Sequence, residues 1–267
     1  MTHRAAAAIA AASLLTCMTA HAGVLAEATL TDLQIGLFAL DPSRAGAASV
    51  SFEVTGGSLA RVFAAGAGNA PPVTASMSGG AAFAAVDAAD ADGTNAGGSA
   101  RIDGDAFKGG ADVTTSAYSN MPGCQSEASA YLGDGDGTAT FTLSPHSVLV
   151  ISVMADLSAT GNTALSDYAI ASAELEFIGS QGDNSQESLA NGLVAAGGTF
   201  GAANALHEHL VVSFVNPYDY AINGTFFGGV DTTTAAAVPE PGEAALLLAA
   251  FGMFAAMGAM RSRRRQA

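Results

Sequence analysis

Residues Thr138–Leu143 set apolar and polar side chains in strict alternation, with Ala139, Phe141 and Leu143 on one face and Thr138, Thr140 and Thr142 on the other. A period of two is the signature of a half-buried β-strand, and it recurs along the chain. Ser49–Val54 repeats it, with Val50, Phe52 and Val54 on one face and Ser49, Ser51 and Glu53 on the other. Val148–Met154 is apolar on both faces, which predicts a central strand covered on both sides, and Ser144-Pro145-His146 ahead of it reads as a connecting turn. Further strands are expected over Ala169–Ile178, over Leu210–Val215 up to the turn signal Asn216-Pro217, and over Tyr220–Phe227 around Asn223-Gly224. Helical periodicity is confined to the two ends. The expected fold is therefore all-β: a single antiparallel β-sandwich-like domain plus a C-terminal transmembrane helix.

Composition sharpens this. Of the 267 residues 32 are glycine, 12% are charged and none is tryptophan, and alanine supplies much of the 49% apolar content. Small side chains favour thin, closely packed layers. The stretch Gly56–Gly110 has few large apolar residues, so long Gly/Ala-rich loops or poorly ordered segments are expected there.

The ends differ from the middle. Residues 1–22 carry His3 and Arg4, an apolar run from Ala5 to Leu15, and Ala20-His21-Ala22, the small-residue spacing that a signal peptidase reads. Cleavage is expected between Ala22 and Gly23. The run of about eleven residues is too short to span a bilayer, which needs roughly twenty. Leu14-Leu15-Thr16-Cys17 resembles a lipobox, but Thr16 is bulkier than the small residue wanted before the cysteine.

Beyond an acidic β-rich extracellular domain over 23–230, residues 231–237 read as a polar, small-residue linker. Val238-Pro239-Glu240-Pro241 follows, where two prolines fix φ and remove backbone donors. Residues 244–260 are uncharged and as a helix reach about 26 Å, enough for a thin bilayer. Arg261, Arg263, Arg264 and Arg265 come next, and positive residues stay on the cytoplasmic side of the inner membrane.

This order of triplet, short span and terminal arginine cluster resembles the PEP-CTERM sorting signal of Gram-negative bacteria, over residues 238–267 only. The resemblance implies an exosortase as partner, recognising Pro239, Glu240 and Pro241 and cutting near them, with the arginines retaining the tail until then. It also implies transient membrane anchoring, release to the cell surface or exterior, and an association with exopolysaccharide, biofilm or floc. Signal peptidase and the general export machinery are the other expected partners.

Removing both ends takes Glu240, Glu243 and five arginines from the totals of 24 acids and 9 bases. That leaves 22 acids against 4 bases between Gly23 and Val238, a net charge of −18. Such a domain repels nucleic acid and anionic lipid, and cations or a cationic polymer suit it better. Of the two cysteines, Cys17 lies in the signal segment, so Cys124 remains alone without an internal disulfide, either as a cross-link between two molecules or, at least as readily, as an unpaired small residue.

No cofactor is required by any motif. Asp87, Asp90 and Asp92, the pair Asp103 and Asp105, and the pair Asp134 and Asp136 stand beside glycines and could converge on Ca²⁺, though none completes an EF-hand and Asp-Gly is also ordinary turn chemistry. His207 and His209 share a strand face, compatible with a transition metal only if a third ligand arrives. Glu174 and Glu176 could be cast as a glycosidase pair, but neighbours on one strand more often form a wet surface. Tyr118, Tyr131, Tyr168, Tyr218 and Tyr220 are the aromatic side chains left for sugar contact. The leading expectation is a non-enzymatic structural or adhesive matrix protein, ahead of a secreted polysaccharide hydrolase and a Ca²⁺-dependent binding module.

Overall fold

The computed structural model describes residues 23–237, apart from 42, 44–46, 54–56, 67–70, 80–84, 94, 106–109, 134–137, 163–166 and 182–183. All described residues belong to the compact unit that ends at Ala237. Residues 1–22, read above as a signal peptide, and 238–267, read above as a sorting tail with Pro239, Glu240, Pro241, residues 244–260 and the four terminal arginines, lie outside them. Among the described residues no helix is long and apolar enough to cross a membrane.

The described chain is all-β and every pairing is antiparallel. One sheet takes β1 (Val24–Ala39), β5 (Val86–Gly93), β6 (Ala96–Asp105), β7 (Gly110–Ser119), β10 (Ser147–Thr160) and β13 (Ala203–Asn216), in the order β13-β10-β1-β7-β6-β5. The other takes β3 (Leu59–Ala65), β4 (Val73–Ser78), β8 (Gln125–Tyr131), β11 (Tyr168–Gln181), β12 (Asn184–Ala196) and β14 (Ile222–Ala235), in the order β12-β11-β14-β8-β3-β4. β9 (Thr138–Leu143) lines up beside the first half of β14 and carries β2 (Val50–Glu53) on its far side.

The period of two places the core between the sheets. In β10, Leu149, Ile151, Val153 and Leu157 are fully buried, and in β11 Ala171, Ala173, Leu175 and Phe177 are. At one end the space is filled by rings: Phe141 stacks edge-on against Phe214 of the facing sheet at 5.1 Å and against Phe177 at 5.4 Å, and Phe177 meets Phe226 at 5.3 Å. At the other end alanines line both inner faces, and the sheets come close enough to share hydrogen bonds. Ser126 of β8 donates to the Gly97 carbonyl of β6 at 2.6 Å, and the Ser119 and Thr234 hydroxyls meet at 2.9 Å. The edge strands β12 and β13 are joined as well. Gln186 of β12 donates to the Val215 carbonyl at 2.8 Å and accepts from the Val215 N–H at 3.2 Å, a side chain standing in for a strand.

Several expectations need correction. Gly56–Gly110 is not mainly loop: β3 to β6 and the start of β7 lie there, because alanine, glycine and serine make backbone ladders as well as larger residues do and let facing sheets approach. A Cβ on Gly98 would overlap the Ser116 carbonyl and crowd Val62 of the opposite sheet. Residues 231–237 are not a linker. Asp231–Ala235 form the second half of β14, Thr232 and Thr234 are fully buried, and Ala236 exchanges backbone hydrogen bonds with the Gly123-Cys124 turn. The polar threonines point inward, where Thr232 donates to the Ala128 carbonyl and Thr234 meets Ser119.

β10 is central in its sheet but covered on one face only. Val148, Val150 and Met154 are half-exposed on the outer face beside Phe38, which is 58% exposed. Hydrogen-bonded neighbours and a covering layer are separate matters, and on the outer face the described residues supply only the first. Cys124 is 1% exposed, so its thiol is inaccessible and does not serve as an intermolecular cross-link in the folded state.

Candidate functional site

Alternation along β14 sends Ile222, Gly224 and Phe226 inward and leaves Asn223, Thr225 and Phe227 on the outer face. Its neighbours do the same, so Thr140 and Thr142 of β9, Glu53 of β2 and Ile178 of β11 join them. All of these except Phe227 line an open cleft of about 590 Å³ across four strands. Thr142 donates to Asn223 Oδ1 at 2.8 Å, which turns the Asn223 amide N–H₂ away from Thr142, and Thr140 donates to the Glu53 carbonyl at 2.9 Å. The floor is fixed from below. Gly224 and Gly179 carry no Cβ because the Phe141 and Phe214 rings press against those two positions from the core.

The cleft continues through Ile178 and Thr225 into a smaller one of about 230 Å³ bounded by Glu174, Glu176 and Phe227. Burial, then the neighbouring Glu174 and Glu187 carboxylates, raise the Glu176 carboxyl above its ordinary pKa. Glu174 and Glu176 stand side by side on the outer face of β11 and do not oppose each other across the cleft. The glycosidase arrangement weighed from the sequence needs carboxylates on both sides of the scissile bond.

Farther along the same face lies a linked cluster. Tyr131 donates to Asp231 Oδ1 at 2.7 Å and accepts from Arg61 at 3.3 Å. The guanidinium sits 5.4 Å from the Tyr131 ring centre and 3.9 Å from Glu127. Burial, with the Asp231 carboxylate beside it, raises the Tyr131 phenol above its ordinary pKa. The phenol therefore stays a neutral donor at physiological pH.

The other sites read from the sequence are scattered. His207 and His209 do share the outer face of β13, inside the strand rather than ahead of it. His207 Nδ1 is hydrogen-bonded to Asp156, its cross-strand partner, at the rim of a cleft of about 530 Å³ that also holds Glu27. Asp103 lies in β6 and is ion-paired with Arg101 at 2.5 Å, not in a tight turn. Asp105 ends the same strand opposite Gly110. Asp87, Asp90 and Asp92 lie in β5, while Asp134 and Asp136 fall outside the described residues. Among the described residues no three His, Cys, Asp or Glu side chains are grouped to hold a metal ion.

Sequence reasoning passed over the cleft residues Thr140, Thr142, Asn223 and Thr225. Each is an ordinary outward strand residue, and only the side-by-side placement of β9, β14 and β11 groups them. No protein family, curated protein or solved structure matches the chain.

Proposed function

We propose that this chain is an exported bacterial surface or extracellular-matrix protein whose β-sandwich domain contacts exopolysaccharide in a structural or adhesive role. The observation that carries the reading is the outer-face cleft: open along its length, floored by rigid sheet, and lined by hydroxyl, amide and carboxylate groups at hydrogen-bonding spacing. Such a surface suits a long hydroxylated polymer better than a small molecule, which is usually enclosed. The charge of −18 turns polyanions away and leaves neutral or cationic chains as suitable ligands.

The route comes from the ends. An exosortase reading Pro239, Glu240 and Pro241 and a signal peptidase cutting between Ala22 and Gly23 would both act outside the sheets, since β1 starts at Val24 and β14 ends at Ala235. Processing at both points leaves every described strand intact. The span 244–260 with its arginines would hold the protein in the inner membrane until the cut.

The test is a deletion strain together with a pull-down of the host's own exopolysaccharide by purified protein. Altered biofilm or floc and retention of polymer are expected. Unchanged biofilm with no polymer retained would refute the reading. An E240A variant should accumulate as the uncut, membrane-bound form.

A further inference from the structure

Thr142 and Asn223, which line the cleft, stand one residue inside the ends of β9 and β14, and the turns beyond those ends are tied together with the end of β1. Ser144–His146 joins β9 to β10, Pro217–Ala221 joins β13 to β14, and Leu40 follows β1. The Leu40 N–H donates to the His146 carbonyl at 2.7 Å, and the His146 N–H donates to the Tyr218 carbonyl at 3.3 Å. His146 holds a φ of 50°, in the left-handed region. Beneath them Asn216 is fully buried. Its Nδ2 donates to the carbonyls of Leu143, Ser144 and Tyr220 at 3.1, 2.9 and 2.8 Å, and its Oδ1 accepts from the Tyr218 N–H at 3.0 Å.

This frame holds an aromatic pair. The Tyr218 and Tyr220 rings are stacked, 5.2 Å apart and 11° from parallel. Tyr218 packs against the core, whereas Tyr220 is 50% exposed, the share expected of a ring with one face covered and one open to water. Near-parallel stacking is not needed to bury a tyrosine at a loop tip. It costs the outer ring its freedom and leaves a flat apolar face in solvent. Asp219, between the two, is hydrogen-bonded to His146 Nε2 at 2.7 Å and its side chain is 84% exposed.

We propose that Tyr220 is a platform for one pyranose ring of a neutral, linear polysaccharide, and that the chain continues from it into the cleft at Asn223. The inference rests on the polymer-contacting reading above and adds its ligand class and first contact. Two residues, Ala221 and Ile222, separate Tyr220 from Asn223, three steps along the chain that reach about 10 Å at most, a span of a couple of sugar units. A pyranose whose hydroxyls are all equatorial presents axial C–H groups as a flat apolar face, the complement of an exposed ring. Its equatorial hydroxyls radiate from the rim, where the Asp219 carboxylate accepts. The frame makes recognition cheap, because the ring is already ordered before the sugar arrives.

The test is calorimetric titration of the full chain with cellohexaose and xylohexaose, alongside tyrosine emission. That emission is readable because the chain has no tryptophan. Binding of at least one hexasaccharide is expected, with a change in tyrosine emission. Y220A should weaken it about tenfold, the worth of one good ring contact, and Y220F should bind within about twofold of the parent. An unchanged urea midpoint for Y220A verifies that the fold is intact. Two results would overturn the proposal: Y220A binding as well as the parent, or neither hexasaccharide binding the parent. Loss of binding in N223A but not in Y220A would discard the platform and keep the cleft. Retention of host exopolysaccharide by Y220A would likewise leave the broader reading standing.

Discussion

Replacing Asn216 by alanine is the sharpest test of how the binding end is built. Its amide contacts four backbone groups, two at the β9–β10 turn and two in the loop that carries Tyr220, and so ties the one to the other. Two Nδ2 hydrogens shared among three carbonyls, plus one bond accepted by Oδ1, amount to three net hydrogen bonds at about 1 kcal/mol each. Alanine also leaves buried carbonyls without a donor, at about 1–3 kcal/mol for a dry group. The expected loss for N216A is therefore about 4–6 kcal/mol, a large part of the roughly 5–15 kcal/mol that holds a domain together. N216D separates donor from volume. It keeps the shape and the acceptor but turns a carboxylate toward three carbonyl oxygens, so at pH 7 it should cost at least as much as alanine. Urea unfolding followed by far-UV circular dichroism, extrapolated linearly to water, measures both. A loss below about 1 kcal/mol for N216A would show that the turns are held by something else, and the preordered platform would lose its physical basis.

Three further outcomes follow from the same geometry. G224A brings a methyl into overlap with the Phe141 ring, which Phe177 and Phe214 prevent from swinging away, and should cost about 1–3 kcal/mol in urea unfolding. The raised Glu176 carboxyl means that the folded state holds its proton more tightly than the unfolded chain. This contribution is fully present below the ordinary carboxylate range and is lost as pH rises through the raised value. E176Q should accordingly gain stability over the parent at pH 7 and none at pH 3.5, by no more than about 0.5 kcal/mol because the group is half-exposed and screened; equal gains at both pH values would contradict the cause given. Finally, Cys124 in a C17S background should react with a thiol reagent only in denaturant, and rapid labelling of the native protein would contradict its burial.

The amino-acid sequence by itself determined the strand chemistry. Alternation in Thr138–Leu143 predicted β9 to the residue and alternation in Ser49–Val54 located β2, while the apolar stretches Ala169–Ile178 and Leu210–Val215, the second closed by a turn signal, fall inside β11 and β13. Where alternation is carried by alanine and glycine, as in β3 to β6, the pattern has too little contrast to be read. Where buried threonines carry it, as at Thr232 and Thr234, it reads as solvated linker. Only the tertiary structure decided which outward faces lie together. Thr142 and Asn223 are 81 residues apart and meet because β9 pairs with β14, and Tyr220 stacks on Tyr218 because a buried asparagine pins the loop between them. A period of two is a local property of one strand. A cleft is a property of strand order, set by pairings between distant segments that local pattern does not encode.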